Sequence, residues 1–146
     1  FSFVPAVRSF FKGPIVLGGG IVNGAGIRAL QILGANFAYM GTKFIATKES
    51  LASHEYKKMI IDSTEADIMT SDYFTGVAAN YLTKSIIKEG IDPKSINVSE
   101  NKKFDSSVKS KAWFDIWSAG QGVRNINEIQ TVKNVIRQLK KEYEIS

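Results

Sequence analysis

The sequence predicts an α/β fold built on a strand–turn–helix–strand–turn unit, and three observations predict it. Two apolar runs, Pro14-Ile15-Val16-Leu17 and Phe37-Ala38-Tyr39, each close on a glycine turn, Gly18-Gly19-Gly20-Ile21 and Met40-Gly41-Thr42. Between them, Ile27, Leu30 and Leu33 fall at helical spacing and Gly34 supplies a stop signal. The runs are unbroken rather than alternating, as expected of parallel strands buried on both faces.

This arrangement carries a chemical consequence. A βαβ unit places both turns at the carboxyl end of its parallel strands. Two glycine turns side by side there present several backbone N–H groups to one point, an anion cradle whose usual guest is a phosphate. A Gly-Gly-Gly by itself is most often a tight turn; the pair at βαβ spacing is what points to phosphate. The two common nucleotide patterns are absent. No G-x-G-x-x-G follows a strand with an acidic residue about 20 residues on, and no Gly-Lys-Ser/Thr completes a P-loop. In a (β/α)8 barrel, phosphate commonly sits at the loops after strands 7 and 8.

The other elements follow in order. Phe1 to Phe11 reads as a helix with Pro5 near its first turn. Thr47 to Ile61 carries Leu51, Tyr56, Met59, Ile60 and Ile61 on roughly one face and predicts a helix. Glu65 to Phe74 is rich in β-formers and predicts a short extended segment. Tyr81, Leu82, Ile86 and Ile87 predict a helix over Asn80 to Lys88, stopped by Gly90. Ile91 to Ser110, polar and containing Asp92-Pro93 and Ser106-Ser107, predicts a mobile excursion. Trp113, Phe114, Ile116 and Trp117 form an aromatic cluster whose plain reading is core packing, compatible with the wall of a ligand site. Asn127 is the expected N-cap of a final helix with Val132, Val135, Ile136 and Leu139 as its apolar stripe.

Composition narrows the function classes. The 146 residues contain no cysteine and one histidine, so disulfides, thiolate metal sites and transition-metal chemistry are not expected. His54 falls on a predicted surface helix and reads as solvated. The net charge of +5 is spread over Lys57-Lys58, Lys102-Lys103, Lys109 to Lys111 and Lys140-Lys141, interleaved with acids. That reads as solvated faces and predicts no nucleic-acid partner. No apolar run approaches the ~20 residues of a membrane span, and no signal-peptide pattern is present. A cytoplasmic location is expected.

Five stretches carry a resemblance to a known family. Gly19-Gly20-Ile21-x-x-Gly24, Leu33-Gly34-Ala35 and Met40-Gly41-Thr42-Lys43-Phe44-Ile45-Ala46-Thr47-Lys48-Glu49-Ser50 are the first group. Phe74-Thr75-Gly76-Val77-Ala78-Ala79-Asn80-Tyr81-Leu82 and Asp115-Ile116-Trp117-Ser118-Ala119-Gly120-Gln121-Gly122 follow, and these two are the more specific. Together they resemble the nitronate monooxygenases, formerly called 2-nitropropane dioxygenases, over roughly Pro14 to Leu139. The first group is shared with other phosphate-binding barrels, inosine monophosphate dehydrogenases among them.

The resemblance implies an FMN-dependent flavoprotein with a TIM (β/α)8 barrel, of which this chain holds the carboxyl-terminal part. That part comprises the last two strands plus a helical C-terminal extension. It implies three segments: residues 1–62 as the last βα units, 63–112 as an inserted excursion, and 113–146 as a flavin-side loop and final helix. Gly19 and Gly20 match the glycines whose backbone meets the FMN phosphate. Tyr39, Met40, Gly41 and Thr42 match the segment around its other side, and Gln121 belongs to a loop near the flavin. Many members carry Gln where this chain has Tyr39, and Ala where it has Gly18. The implied reaction oxidises alkyl nitronates or nitroalkanes, small-molecule substrates, with FMN as electron acceptor and molecular oxygen as reoxidant. The family's catalytic histidine lies in a glycine-rich motif upstream of these strands, so no catalytic residue is expected here. The chain alone is expected to be inactive and to need the missing N-terminal half of the barrel, or to self-associate. The alternatives are a flavin-dependent enoyl-acyl-carrier-protein reductase and a noncatalytic phosphate-ligand-binding module.

Overall fold

The computed structural model describes residues 2–96 and 114–146. Residues of the polar stretch beyond Ile96, with Trp113, lie outside the described residues. The chain is α/β, as its sequence predicts.

The βαβ unit forms first. Helix α1 (Phe3–Phe10) precedes β1 (Val16–Gly18), α2 (Gly24–Ile32) and β2 (Phe37–Tyr39). The two strands pair in parallel, Val16 with Phe37, Leu17 with Ala38 and Gly18 with Tyr39. Asn23 caps α2, its Oδ1 accepting the Gly26 N–H at 2.8 Å. Gly34, at φ +106°, turns the chain out of the helix. Arg8 locks that turn onto α1: its guanidinium donates to the Gly34 carbonyl, at 2.6 Å through Nη2, and to the Gly13 carbonyl at 2.7 Å. Val4, Leu30 and Ala35 form the buried core of this unit.

A three-residue parallel pair cannot stand alone in water. One of its faces packs on this core. The other carries Val16, Phe37 and Tyr39, which are 59%, 60% and 71% exposed. The sequence reading of β1 and β2 as strands buried on both faces is therefore corrected: the pair is covered on one face and open on the other.

Downstream, α3 (Thr42–Ile45) is followed by an irregular stretch, and α4 spans only His54–Ile61. The predicted helix over Thr47 to Ile61 is shortened because Thr47 pairs as a parallel bridge with Gln130, and Ser53 starts the helix by accepting the Tyr56 N–H through Oγ. A 3-10 turn over Glu65–Asp67 leads into β3 (Ile68–Ser71), the expected extended segment. The predicted helix over Asn80 to Lys88 divides into β4 (Ala79–Leu82) and α5 (Thr83–Lys88). β4 is drawn out by antiparallel pairing with β3, Ile68 opposite Leu82, and by the Leu82 N–H donating to the Trp117 carbonyl at 2.8 Å. Helix α6 (Pro93–Ile96) follows.

Past a 3-10 turn at Gln121–Asn125, the chain ends in α7 (Val132–Ile145). Its N-cap is Thr131, whose Oγ1 accepts the Asn134 N–H, and not Asn127 as expected. The Glu49 carboxylate accepts the Val132 N–H and sets a negative charge at the positive helix start. A second core, around Ile60, Leu82 and Val123, draws on residues far apart in the chain. A third, around Phe74, Tyr81 and Ile116, lies under the β3–β4 pair. Among the described residues no helix is long and apolar enough to cross a membrane.

Helix α7 crosses α2 at Gly24 with no room for a side chain. A Cβ there would lie 2.2 Å from the Tyr143 nitrogen and 2.3 Å from the Leu139 oxygen, both backbone atoms that cannot yield cheaply. Gly24→Ala is expected to destabilise the chain by about 2 kcal/mol through overpacking, read as a lower urea midpoint at unchanged slope.

Candidate cofactor-binding site

The two glycine turns leave neighbouring positions of one sheet, since Gly18 is the register partner of Tyr39. Gly19 and Gly20 adopt φ of +106° and +66°, a region that a side chain strains. Around each, a Cβ would meet nothing within 4 Å among the described residues, so the outer side of the turn is open to them. Gly41 is equally open, yet its φ of −98° suits any residue. Space, not backbone strain, is what its missing side chain preserves. The helix beginning there makes its first bonds from the Phe44 and Ile45 N–H groups to the Gly41 carbonyl, so the amides of Thr42 and Lys43 precede its ladder.

A third segment closes on both turns. The Gly120 N–H donates to Thr42 Oγ1 at 2.8 Å. A Cβ on Gly122 would lie 1.9 Å from Val22 Cγ1 and 3.7 Å from the Gly20 oxygen, so this loop sits directly against the first turn. Lys43 is buried and donates from Nζ to the Val22 carbonyl at 3.0 Å, tying the second turn to the first. Arg124 and Glu65 pair through two contacts of 2.6 and 2.7 Å and hold the 3-10 turn that follows the loop.

Of the sequence-predicted site residues, Gly19, Gly20, Tyr39, Met40, Gly41, Thr42 and Gln121 thus belong to three segments that meet. Tyr39, Gly41 and Gln121 are exposed, and Met40 and Thr42 half-buried. The N-terminus of α2 is not part of this surface. Its Gly24 N–H is taken by Glu142 Oε2 at 2.9 Å, so the first helix start already carries a carboxylate of this chain.

The aromatic cluster divides. Ile116 is buried in the third core, Phe114 is exposed, and Trp117 stacks on Tyr56 with ring centres 4.9 Å apart. The Tyr56 hydroxyl donates to the Ser118 carbonyl, while the Trp117 N–H donates to Ser85 Oγ at 3.0 Å. These bonds fix the start of the Ser118–Gly122 loop from beneath. Sequence reasoning did not assign Tyr56, Lys43, Arg8 or Glu142 to this arrangement. Only Lys43 had a signal, its place inside the second glycine motif. His54 is exposed at the first turn of α4.

A separate polar pocket of about 120 Å³ is lined by Lys43, Asn125, Asn127, Glu128, Gln130 and Gln138, and none of the cradle glycines borders it. Among the described residues, no cluster of three or more His, Asp or Glu is placed to hold a metal.

A family model described as nitronate monooxygenase matches residues 1–142. The chain belongs to the nitronate monooxygenase family. A "probable nitronate monooxygenase" of Staphylococcus haemolyticus is 33% identical over 132 residues, covering 84% of this chain and 37% of that relative. One of Bacillus subtilis is 25% identical over 150 residues, covering 97% and 43%. Among solved structures, nitroalkane oxidase from Streptomyces ansochromogenes is similar with TM-score 0.76 and 28% identity, covering 99% of this chain and 43% of its own. FabK from Thermotoga maritima has TM-score 0.72 and 26% identity, covering 97% and 48%. The chain therefore spans less than half the length of each of these family relatives and neighbours.

Burial pushes the Tyr56 phenol up to about 12. A raised folded pKa favours the neutral form, so its stabilising effect is complete below pH 10 and is lost as pH rises from 10 through 12. The urea midpoint is expected to fall over that window, and Tyr56→Phe is expected to reduce the fall. An identical alkaline slope in the variant would contradict the assignment. His54→Ala is expected to change stability by less than about 0.5 kcal/mol in the same measurement.

Proposed function

We propose that this chain provides the phosphate end of an FMN site in an oxidoreductase that oxidises alkyl nitronates or nitroalkanes with molecular oxygen. The observation that carries the reading is the pair of open glycine turns at adjacent positions of a parallel sheet, with room at Gly19, Gly20 and Gly41 where a Cβ would stand. These three glycines, with Thr42, would hold the phosphate. Tyr39, Met40 and Gln121 would border the rest of the cofactor. The flavin, when bound, supplies the electron-accepting chemistry. The chain's own residues bind and orient it, and no acid–base residue is assigned among them.

The division into 1–62, 63–112 and 113–146 is proposed as one of roles: cradle, excursion and loop with final helix. The two strands are proposed as the last two of a (β/α)8 barrel, a fold of about 250 residues when complete. The exposed face around Val16 and Phe37 is then the side on which the remaining barrel closes. In the relatives, which are more than twice as long, that part would also hold the family's catalytic histidine. Ligand pockets enclose ~70–90% of a ligand's surface, so residues 1–146 alone are expected to bind FMN weakly and to self-associate through the open face. A monomer on size-exclusion chromatography with submicromolar FMN affinity and nitronate turnover would contradict this.

Gly41→Val gives the sharpest mutational test. The backbone at Gly41 accepts a side chain and nothing among the described residues opposes it, so the fold is expected to remain while the branched side chain fills the phosphate volume. FMN binding by equilibrium dialysis is expected to fall at least tenfold, a loss of about 1.4 kcal/mol or more. Undiminished binding by a folded variant would remove Gly41 from the site. Turnover of a nitronate, measured against NADH-dependent enoyl reduction, separates the proposed activity from the reductase alternative.

A further inference from the structure

The late loop and the second glycine turn share one hydroxyl. Thr42 Oγ1 accepts the Gly120 N–H at 2.8 Å. A threonine hydroxyl can accept and donate at once. Among the described residues no acceptor takes the Thr42 proton. Thr47, one turn further on, shows the usual alternative: its hydroxyl donates to the Phe44 carbonyl at 2.7 Å. Thr42 opens α3, where no preceding helical turn offers such a carbonyl. Its proton is therefore left without an acceptor, among the described residues, at the position next to Gly41.

The loop that Thr42 grips has few other holds on the cradle. Gly122 touches Val22 and faces the Gly20 carbonyl through van der Waals contact, while the Tyr56 hydroxyl holds Ser118 from beneath. The Gly120–Thr42 bond is the polar link between the loop and the second turn.

We propose that Thr42 is a positioning residue that couples the Ser118–Gly122 loop to the occupancy of the glycine cradle. Its oxygen holds Gly120 while its proton goes to an oxygen of a bound phosphate group. Donating to an anion polarises the hydroxyl and makes its oxygen a stronger acceptor, so occupancy of the cradle tightens the Gly120 bond. Linkage makes the effect reciprocal: a loop held in place strengthens phosphate binding by the same factor. This rests on the reading of the cradle as a phosphate site. What it adds is that the same hydroxyl sets the position of the loop carrying Gln121.

Amide hydrogen exchange of the full chain tests the coupling, read at Gly120 and across residues 118–123. The wild type, Thr42→Ser and Thr42→Val are compared free, with FMN and with inorganic phosphate, after circular dichroism has established that each is folded. In wild type and Thr42→Ser, FMN and phosphate are each expected to slow Gly120 exchange by about fivefold or more, the lower end of ordinary coupling between sites. In Thr42→Val, Gly120 is expected to exchange faster in the free chain, and neither ligand is expected to restore protection. Rescue by serine but not valine separates the hydroxyl from mere packing. FMN uptake by the wild type with unchanged Gly120 exchange would overturn the coupling and leave the flavin reading standing. Lack of FMN uptake by the wild type would overturn the flavin reading. The phosphate arm then decides the coupling: protection by phosphate sustains it, and absence of protection overturns it. Equal protection in Thr42→Val and wild type would also overturn it.

Discussion

The crossing of α2 and α7 at Gly24 is the contact on which the glycine turns depend. The strands that carry those turns are three residues long and expose one face, so their pairing contributes too little to fix them. Their geometry is imposed from the far end of the chain. Backbone meets backbone where Gly24 leaves no side chain, Glu142 takes the Gly24 N–H, and the Tyr143 hydroxyl donates to Gln31 at 2.6 Å. With α2 clamped at its start and Arg8 holding Gly34 at its end, the first turn and the second strand are tied at both ends of the helix that joins them. The loop from Ser118 then has two fixed turns to close on, and the absence of a side chain at Gly122 lets it reach Val22.

The same clamp divides the electrostatics. A helix start is a ready anion site, and α2 and α7 each have one. Both are filled by carboxylates of this chain, Glu142 on α2 and Glu49 on α7. The glycine turns keep theirs open. Lys43 does not point a charge at the turns without restraint; its ammonium is engaged by the Val22 carbonyl. The proposed cradle would thus rely on backbone amides and one hydroxyl rather than on a surface cation, an arrangement that would favour a ligand fitting closely over an anion held by charge alone.

The glycine turns, the helix between them and both flanking strands were legible because their signals are local: unbroken apolar runs, turn glycines and helical spacing within one βαβ unit. What sequence reading missed depends on partners far along the chain. Asn80 to Leu82 has the spacing of a helix, but pairing with β3 and the Trp117 carbonyl draws it out as a strand. Thr47 to Ser53 carries helical spacing too, and the bridge from Thr47 to Gln130 holds it out of the helix. Thr131 displaces Asn127 as the cap because Glu49, more than 80 residues earlier, receives the next amide of α7. The late motif Ser118-Ala119-Gly120-Gln121-Gly122 stood out in the sequence, but spacing alone could not show that its Gly120 reaches Thr42.

A phosphate entering the space in front of Gly19, Gly20 and Gly41 would touch their backbone amides, and backbone amide NMR shifts read that contact directly. Titration with FMN is expected to move the amide resonances of those three glycines. Riboflavin, which has the same ring and no phosphate, is expected to leave them in place. Equal shifts from both ligands, or FMN shifts confined to the Asn125–Gln138 pocket, would contradict that contact.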